Sequence, residues 1–220
     1  MGGGRLAGGH CTVFPEPAVG DMDRFVEAGI TTFACAAIYP GVEELIGRFR
    51  RAYPDHAKQL QVHTKCVPDD DRLASCDRAY LEAIIDRSLQ RLRVERLDLV
   101  QWHWWNYAVP GCIDALGVLA DLRRAGKIAH LGLTNFDSAH TREIIEAGIP
   151  IVATQVQYSL LDDRPERGLS ELCRTHGVQL LCYGTLAGGL LSEAWLGRDE
   201  PAGTLENRSH TKYKLIIEDA

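Results

Sequence analysis

Residues 97–134 read LDLVQWHWWNYAVPGCIDALGVLADLRRAGKIAHLGLT. A short apolar run stands at each end of this segment, at 97–103 and at 128–134, and an amphipathic stretch at 115–125 lies between them and closes at Gly126. Two apolar runs separated by an amphipathic helix are typical of a βαβ unit with parallel strands. The segment therefore predicts two parallel strands joined by a helix.

The same alternation continues on both sides of this segment. Four more apolar runs stand at 30–36, 60–65, 151–158 and 178–186, and helical stretches lie at 19–28, 42–53, 76–92, 138–147 and 168–176. Six such units with short connections leave two architectures, a doubly wound open sheet and a TIM-type (β/α) barrel. The absence of a Gly-x-Gly-x-x-Gly motif after a first strand favours the barrel. We predict one domain over 1–220, with an irregular tail at 192–220 in which only 213–217 could start another element.

The composition excludes several classes of partner. The chain has a net charge of −6 and no long run of Lys or Arg, so it lacks the basic surface that nucleic acid or an anionic membrane needs. No apolar stretch approaches the roughly 18 residues of a membrane span, and the first ten residues are rich in glycine, unlike a signal peptide. Seven cysteines without a Cys-x-x-Cys pair and eight scattered histidines predict reduced thiols and no metal. We expect a globular protein of the cytoplasm.

Polar side chains stand at the ends of the predicted strands. In a parallel barrel these ends converge on one mouth. An ammonium beside a phenol lowers its pKa, and a nearby imidazole can orient a carbonyl oxygen, so a Tyr, Lys and His meeting there could do acid-base chemistry. Taken singly, each side chain also fits a structural role, as a rim lysine, a packed tyrosine or a hydrogen-bonded histidine. The strand-end set comprises Tyr39, Lys65, His103, Thr134, Asn135, Gln155 and Tyr183.

Six motifs in this order resemble those of the aldo-keto reductases, and the likeness runs from about Gly8 to the end of the chain. They are GITTFACAAIYPGVEELIG at 29–47, VHTK at 62–65, LDLVQWH at 97–103, GKIAHLGLTNF at 126–136, QVQY at 155–158 and YGTLAGGLL at 183–191.

The resemblance implies reduction of a carbonyl group with NADPH. Matched by motif, Tyr39 takes the place of the proton donor, Lys65 that of the catalytic lysine and His103 that of the histidine. Thr134, Asn135 and Gln155 correspond to the residues that hold the nicotinamide carboxamide. Tyr183 corresponds to the aromatic residue that stacks on the nicotinamide ring.

The sequence departs from the family pattern in three places. Ala34 occupies the position of the catalytic Asp, and a buried lysine without a carboxylate tends to lose its proton. The family's eighth strand, with the residues that grip the 2'-phosphate, would follow Ala220. Its first strand is reduced to something like residues 5–9. We therefore expect an incomplete barrel and weakened NADPH binding. We also expect the open edge of the barrel to be covered by a second copy of the chain, by another partner or by the tail.

Three functions stay open on these residues. The first is an NADPH-dependent reductase. The second is a cofactor-independent acid-base enzyme, such as a dehydratase, isomerase or cyclase, which uses Tyr39, Lys65 and His103. The third is an inactive truncated homologue, as Ala34 suggests. For either enzyme, the aromatic segment WHWWNY at 102–107 indicates a small-molecule substrate with an apolar or aromatic face.

Overall fold

The computed structural model describes residues 1–2, 15–199 and 208–218. Six strands form one sheet. They are β1 (Thr32–Ala34), β2 (Gln61–Cys66), β3 (Leu97–Trp102), β4 (Ile128–Thr134), β5 (Ile151–Gln157) and β6 (Gln179–Tyr183). Eight α-helices are described. They are α1 (Pro15–Glu27), α2 (Val42–Ala52), α3 (Pro54–Ala57), α4 (Arg78–Leu92), α5 (Cys112–Arg124), α6 (Ser138–Glu146), α7 (Leu169–His176) and α8 (Arg208–Glu218).

The strands are parallel and follow one another in chain order, β1-β2-β3-β4-β5-β6. A doubly wound sheet reverses its order at a switch point, whereas a barrel does not. The structure thus confirms the barrel prediction as a half-barrel of six strand-helix units. The segment 5–9, matched to a first strand, lies outside the described residues. Gly2 forms a parallel bridge with Ala34 beside β1.

Six helices, α1, α2, α4, α5, α6 and α7, contribute buried apolar side chains to one core cluster with the strands. The largest fully buried side chains lie in this helix-to-sheet layer, among them Trp102 on β3, Phe49 on α2 and Leu81 on α4. Asp77 and Asp137 cap α4 and α6, since their side chains accept hydrogen bonds from the N–H groups of Tyr80 and His140. None of the described helices is long and apolar enough to cross a membrane.

The prediction of an irregular tail at 192–220 is wrong for residues 208–218, which form α8 and include the stretch 213–217 that could start an element. The helix is held by tertiary packing that no local pattern reveals. The buried ring of Tyr213 lies in a small cluster with Ala187 and Leu190, against the loop that follows β6. That loop admits the ring because it carries glycines: a Cβ at Gly184 would lie 2.4 Å from the Tyr213 hydroxyl oxygen.

Gly47 sits where α2 crosses α4, and its replacement tests this packing. A Cβ at position 47 would lie 2.0 Å from the carbonyl oxygen of Arg91, which belongs to helix backbone and cannot rotate away. Gly47→Ala is therefore expected to lower the free energy of unfolding by about 2 kcal/mol, measured by urea denaturation. The matched control is Gly117→Ala on α5, whose Cβ would meet nothing within 4 Å and should stabilise by about 0.5 kcal/mol. Equal effects of the two changes would contradict the close crossing.

Candidate active site

All seven strand-end residues line one cavity of about 380 Å³ at the carboxyl ends of the strands. Tyr39, Lys65 and His103 come from the first three strands and the loops that follow them, and Thr134, Asn135, Gln155 and Tyr183 from the last three. The sequence-based expectation that these side chains meet at one mouth is confirmed. Their chemical roles stay predictions. Among the described residues, no group of His, Cys, Asp and Glu side chains is arranged to hold a metal ion.

Lys65 is the most enclosed of the ionisable groups in the cavity. Its residue is 9% exposed, and Nζ donates a hydrogen bond to the carbonyl oxygen of Cys35 at 2.9 Å. No ion pair to Lys65 is found within the described ranges, and Ala34, at the position of the family's Asp, lines the same cavity. Burial lowers the pKa of Lys65 to about 8, an effect that the Cys35 thiol opposes. The amine is thus held by a backbone carbonyl instead of a carboxylate.

Tyr39 stands in the loop between β1 and α2, with the Lys65 ammonium 5.6 Å from the centroid of its ring. The sequence argument that this cation lowers the pKa of the phenol is wrong. Burial, and then the neighbouring Cys35, raise the pKa of Tyr39 above its ordinary value. The ammonium also faces the ring, so its field is not concentrated on the hydroxyl group. Tyr39 is therefore a protonated phenol at neutral pH.

His103 follows β3, and its ring position is fixed on two sides. Nδ1 lies 3.2 Å from the carbonyl oxygen of Thr134, and the ring meets the edge of Trp105 at a centroid distance of 4.4 Å. A carbonyl oxygen only accepts hydrogen bonds, so Nδ1 carries the proton. Burial lowers the pKa of His103 below its ordinary value. The ring is therefore neutral at physiological pH, with Nε2 as a proton acceptor.

The opposite wall combines amide groups with a phenol. Asn135 has a φ of 61°, in the left-handed region that Asn tolerates better than most residues, and its N–H donates to the carbonyl oxygen of Gln155 at 2.8 Å. The hydroxyl of Tyr183 donates to Oδ1 of Asn135, also at 2.8 Å. Burial is the main cause that raises the pKa of Tyr183, to about 12. The loop after β4 and the end of β6 are thus tied together across the cavity.

Lys212 on α8 is a cavity residue that the sequence analysis missed. Its Nζ lies 4.6 Å from the centroid of the Tyr183 ring and 3.5 Å from the Tyr183 hydroxyl oxygen. Burial lowers the pKa of Lys212. One face of the ring on which the resemblance places the nicotinamide is therefore covered by an ammonium. The available signal was the segment KYKLII at 212–217, which lies in the stretch that we expected to be mostly irregular.

Comparison with known proteins agrees with this geometry. Residues 1–218 match the model of the aldo/keto reductase family. The chain is 34% identical over 176 residues to the NADP(+) aldo-keto reductase yakc of Schizosaccharomyces pombe, covering 76% of this chain and 51% of that protein. It is 28% identical over 216 residues to the NADH-specific methylglyoxal reductase of Escherichia coli, covering 86% of this chain and 65% of that protein.

A solved structure gives the same result for the fold. The holo form of aldo-keto reductase AKR11C1 from Bacillus halodurans aligns with a TM-score of 0.75 at 26% identity, over 99% of this chain and 71% of that one. The chain thus spans about half to two thirds of the length of these curated relatives, and the family model spans nearly all of the chain. This chain belongs to the aldo/keto reductase family.

Proposed function

We propose that the chain is a nicotinamide-dependent reductase of small aldehydes or ketones, with NADPH as the expected cofactor. The observation that supports this best is the single cavity that joins Tyr39, Lys65 and His103 to the predicted nicotinamide-binding set. The named cofactors of the relatives differ, since yakc carries NADP(+) in its name and the methylglyoxal reductase is NADH-specific. Both dinucleotides therefore belong in the test.

The residues of the far wall fit a nicotinamide carboxamide. This group presents one carbonyl acceptor and two N–H donors, and Thr134, Asn135 and Gln155 offer hydroxyl and amide groups of matching kind around one space. The Tyr183 ring would lie against the nicotinamide face, as stacking requires. When bound there, the cofactor supplies a hydride to the substrate carbon.

The near wall supplies the groups that act on the carbonyl oxygen. Tyr39 keeps its proton at neutral pH, so it can donate that proton to the oxygen as negative charge develops. The Lys65 ammonium, while protonated, stabilises the same charge. His103 is held by Thr134 and presents a neutral ring that lines the space. These three residues orient the carbonyl group and deliver the proton.

The apolar lining indicates the class of substrate. Trp105 and Ile38 are 51% and 47% exposed, and both line the cavity. Exposed aromatic and aliphatic surface inside a cavity favours a ligand with a flat apolar face. We therefore propose small aromatic or branched aldehydes as substrates.

We also propose a reducing compartment such as the cytoplasm, because the described cysteines are free thiols.

A titration tests the proposed reductase. Trp105 lines the cavity, so NADPH or NADH binding is expected to quench its fluorescence, with a dissociation constant in the micromolar range and turnover of benzaldehyde measured in parallel. Trp105→Phe should remove most of the quenching and so locate the bound nucleotide. Absence of binding at millimolar concentrations of both nucleotides would overturn the proposal.

Tyr183→Leu probes the stacking wall in the same titration. Because ring stacking contributes about 1 kcal/mol, this change is expected to weaken nucleotide binding by roughly fivefold to tenfold. The matched control is Tyr80→Leu, since Tyr80 bonds to Asp69 and does not line the cavity. Equal affinities of the two variants would contradict the stacking role of Tyr183.

A second candidate is cofactor-independent acid-base catalysis, such as dehydration, isomerisation or cyclisation. The neutral His103 ring favours it, because Nε2 is a base and Tyr39 is an acid in the same cavity. This function predicts turnover of a hydroxy-carbonyl substrate without nucleotide and its loss in His103→Phe. A chain that neither binds nucleotide nor shows such turnover would instead be an inactive homologue.

We further propose that a second copy of the chain covers the free side of β6. In the described residues β6 pairs only with β5, and Cys182 on this strand is exposed. An unpaired strand edge is a template for association. Sedimentation should give a dimer that Cys182→Arg weakens, and a compact monomer at high concentration would contradict the proposal.

A further inference from the structure

Lys65 is surrounded by groups that do not pair with an ammonium. Its closest polar contact is the Cys35 carbonyl oxygen at 2.9 Å. The ionisable groups that interact with it are the Cys35 thiol and two imidazoles, His63 and His103, and its ammonium faces the Tyr39 ring. None of these is a carboxylate. An amine in this setting resembles the desolvated lysines that act as nucleophiles more than it resembles an ion-paired one.

The protonation state of Lys65 follows from this environment. With a pKa of about 8, roughly half of the amine is unprotonated at pH 8, whereas an ordinary lysine is almost fully protonated there. The free base carries the lone pair that reacts with carbonyl compounds. Since Lys65 lines the cavity and is 9% exposed, the cavity gives a ligand a route to Nζ.

We propose that Lys65 forms an imine with an aldehyde that enters this cavity, in a reaction that requires no nicotinamide cofactor. Nζ attacks the carbonyl carbon while the carbonyl oxygen takes a proton from Tyr39, and Nζ passes a proton to Nε2 of His103, which gives a carbinolamine. The carbinolamine hydroxyl group then takes that proton from His103 and leaves as water as the carbon–nitrogen double bond forms. The resulting iminium nitrogen gives its proton to the Tyr39 oxygen, so that both side chains return to their starting states. One aldehyde and one amine yield one imine and one water, with no change of oxidation state.

This activity goes beyond the proposed reduction and competes with it. Reduction uses Lys65 as an ammonium beside the carbonyl oxygen, whereas imine formation uses it as a free amine that attacks the carbonyl carbon. Ala34 decides between the two states because a carboxylate at this position would hold the proton on Lys65. Aldehydes with an apolar face are the expected ligands, since Trp105 and Ile38 line the same cavity as Lys65.

Reductive trapping tests the proposal on the full chain in the absence of any nucleotide. The chain is incubated at pH 8 with benzaldehyde and sodium cyanoborohydride, which reduces an imine to a stable benzyl amine, and the label is located by peptide mass mapping. We expect Lys65 to be labelled at least tenfold faster than Lys58 or Lys127, both of which are held in ion pairs. Lys65→Arg should lose this label and keep the far-ultraviolet dichroism of the parent. Label spread evenly over the lysines, or found only at Met1 or Lys212, would overturn the assignment.

Two variants at position 34 test whether the missing carboxylate is what leaves Lys65 reactive. Ala34→Asp is expected to slow labelling of Lys65 at pH 8 by roughly a hundredfold, because restoring an ordinary pKa removes most of the free base. Ala34→Asn has the same shape without the charge and should slow it little. Labelling of Lys65 that is equal in the Asp and Asn variants would overturn the proposal. Since no nucleotide is present, failure of NADPH binding leaves this test unaffected.

Discussion

Ala34→Asp is expected to raise the rate of NADPH-dependent benzaldehyde reduction at pH 9 by about tenfold. The new carboxylate would stand at the end of β1, in the cavity wall that holds Lys65 and Tyr39. It would keep Lys65 protonated, so that the ammonium stabilises the negative charge that develops on the substrate oxygen. With a pKa of about 8, about one tenth of Lys65 is protonated at pH 9, whereas a lysine of ordinary pKa is almost fully protonated there, which gives about a tenfold difference in rate.

The control for this variant is Ala34→Asn, which is nearly isosteric with Asp and carries no charge. It should leave the turnover number close to that of the parent, and both variants should bind NADPH with the parent's affinity in the fluorescence titration. An Asp variant that binds NADPH but reduces benzaldehyde no faster than the Asn variant would show that the missing carboxylate does not limit the reaction.

Lys65→Met is expected to raise the free energy of unfolding by about 3 kcal/mol at pH 7. The pKa of Lys65 is about 8 in the folded chain, below its ordinary value of 10.5. The unfolded chain therefore binds more protons than the folded chain between these two pH values, and stability rises with pH across that window. Below pH 8 both states are protonated and the full penalty for burying the ammonium applies. Methionine removes the penalty because its side chain is apolar and similar in length.

The pH dependence of the stabilisation by Lys65→Met provides the control. The stabilisation by Lys65→Met should be largest at pH 7 and should fall towards zero by about pH 10.5, when the parent lysine is neutral in both states. Lys58→Met, at an exposed lysine that pairs with Asp55, should change stability by less than about 0.5 kcal/mol at either pH. Urea denaturation at pH 7 and pH 10.5 measures both variants. A gain for Lys65→Met that is the same at the two pH values would contradict a buried, uncompensated ammonium.

The half-barrel could be predicted from the sequence because apolar strand runs and amphipathic helical stretches alternate along the chain. Every strand in the structure falls within or beside a predicted apolar run, and parallel strands in chain order bring their carboxyl ends together. Lys65 and Tyr183 could therefore be placed at one mouth although they are far apart in the chain. For the same reason, all seven residues that the strand-end rule selected line the cavity, together with residues such as Trp105 and Lys212 that the rule did not select.

What the sequence could not predict depends on burial and on contacts between distant segments. The direction of the Tyr39 pKa is set by desolvation, which outweighs the nearby cation, and residue identities do not report desolvation. The tautomer of His103 depends on the Thr134 carbonyl, which the fold brings to Nδ1. Lys212 reaches the cavity only because Tyr213 beside it fits against glycines of the loop after β6. A periodic pattern of apolar residues does not predict a contact of this kind between distant segments.

The Lys212 ammonium stands on one face of the Tyr183 ring, so a molecule that takes that face competes with a group of the chain itself. Its measured affinity is then the intrinsic affinity multiplied by the fraction of molecules in which the Lys212 side chain has left the ring. A cation–π contact of about 1 kcal/mol would weaken such a ligand by roughly fivefold. The chain thus carries an internal competitor for this aromatic surface.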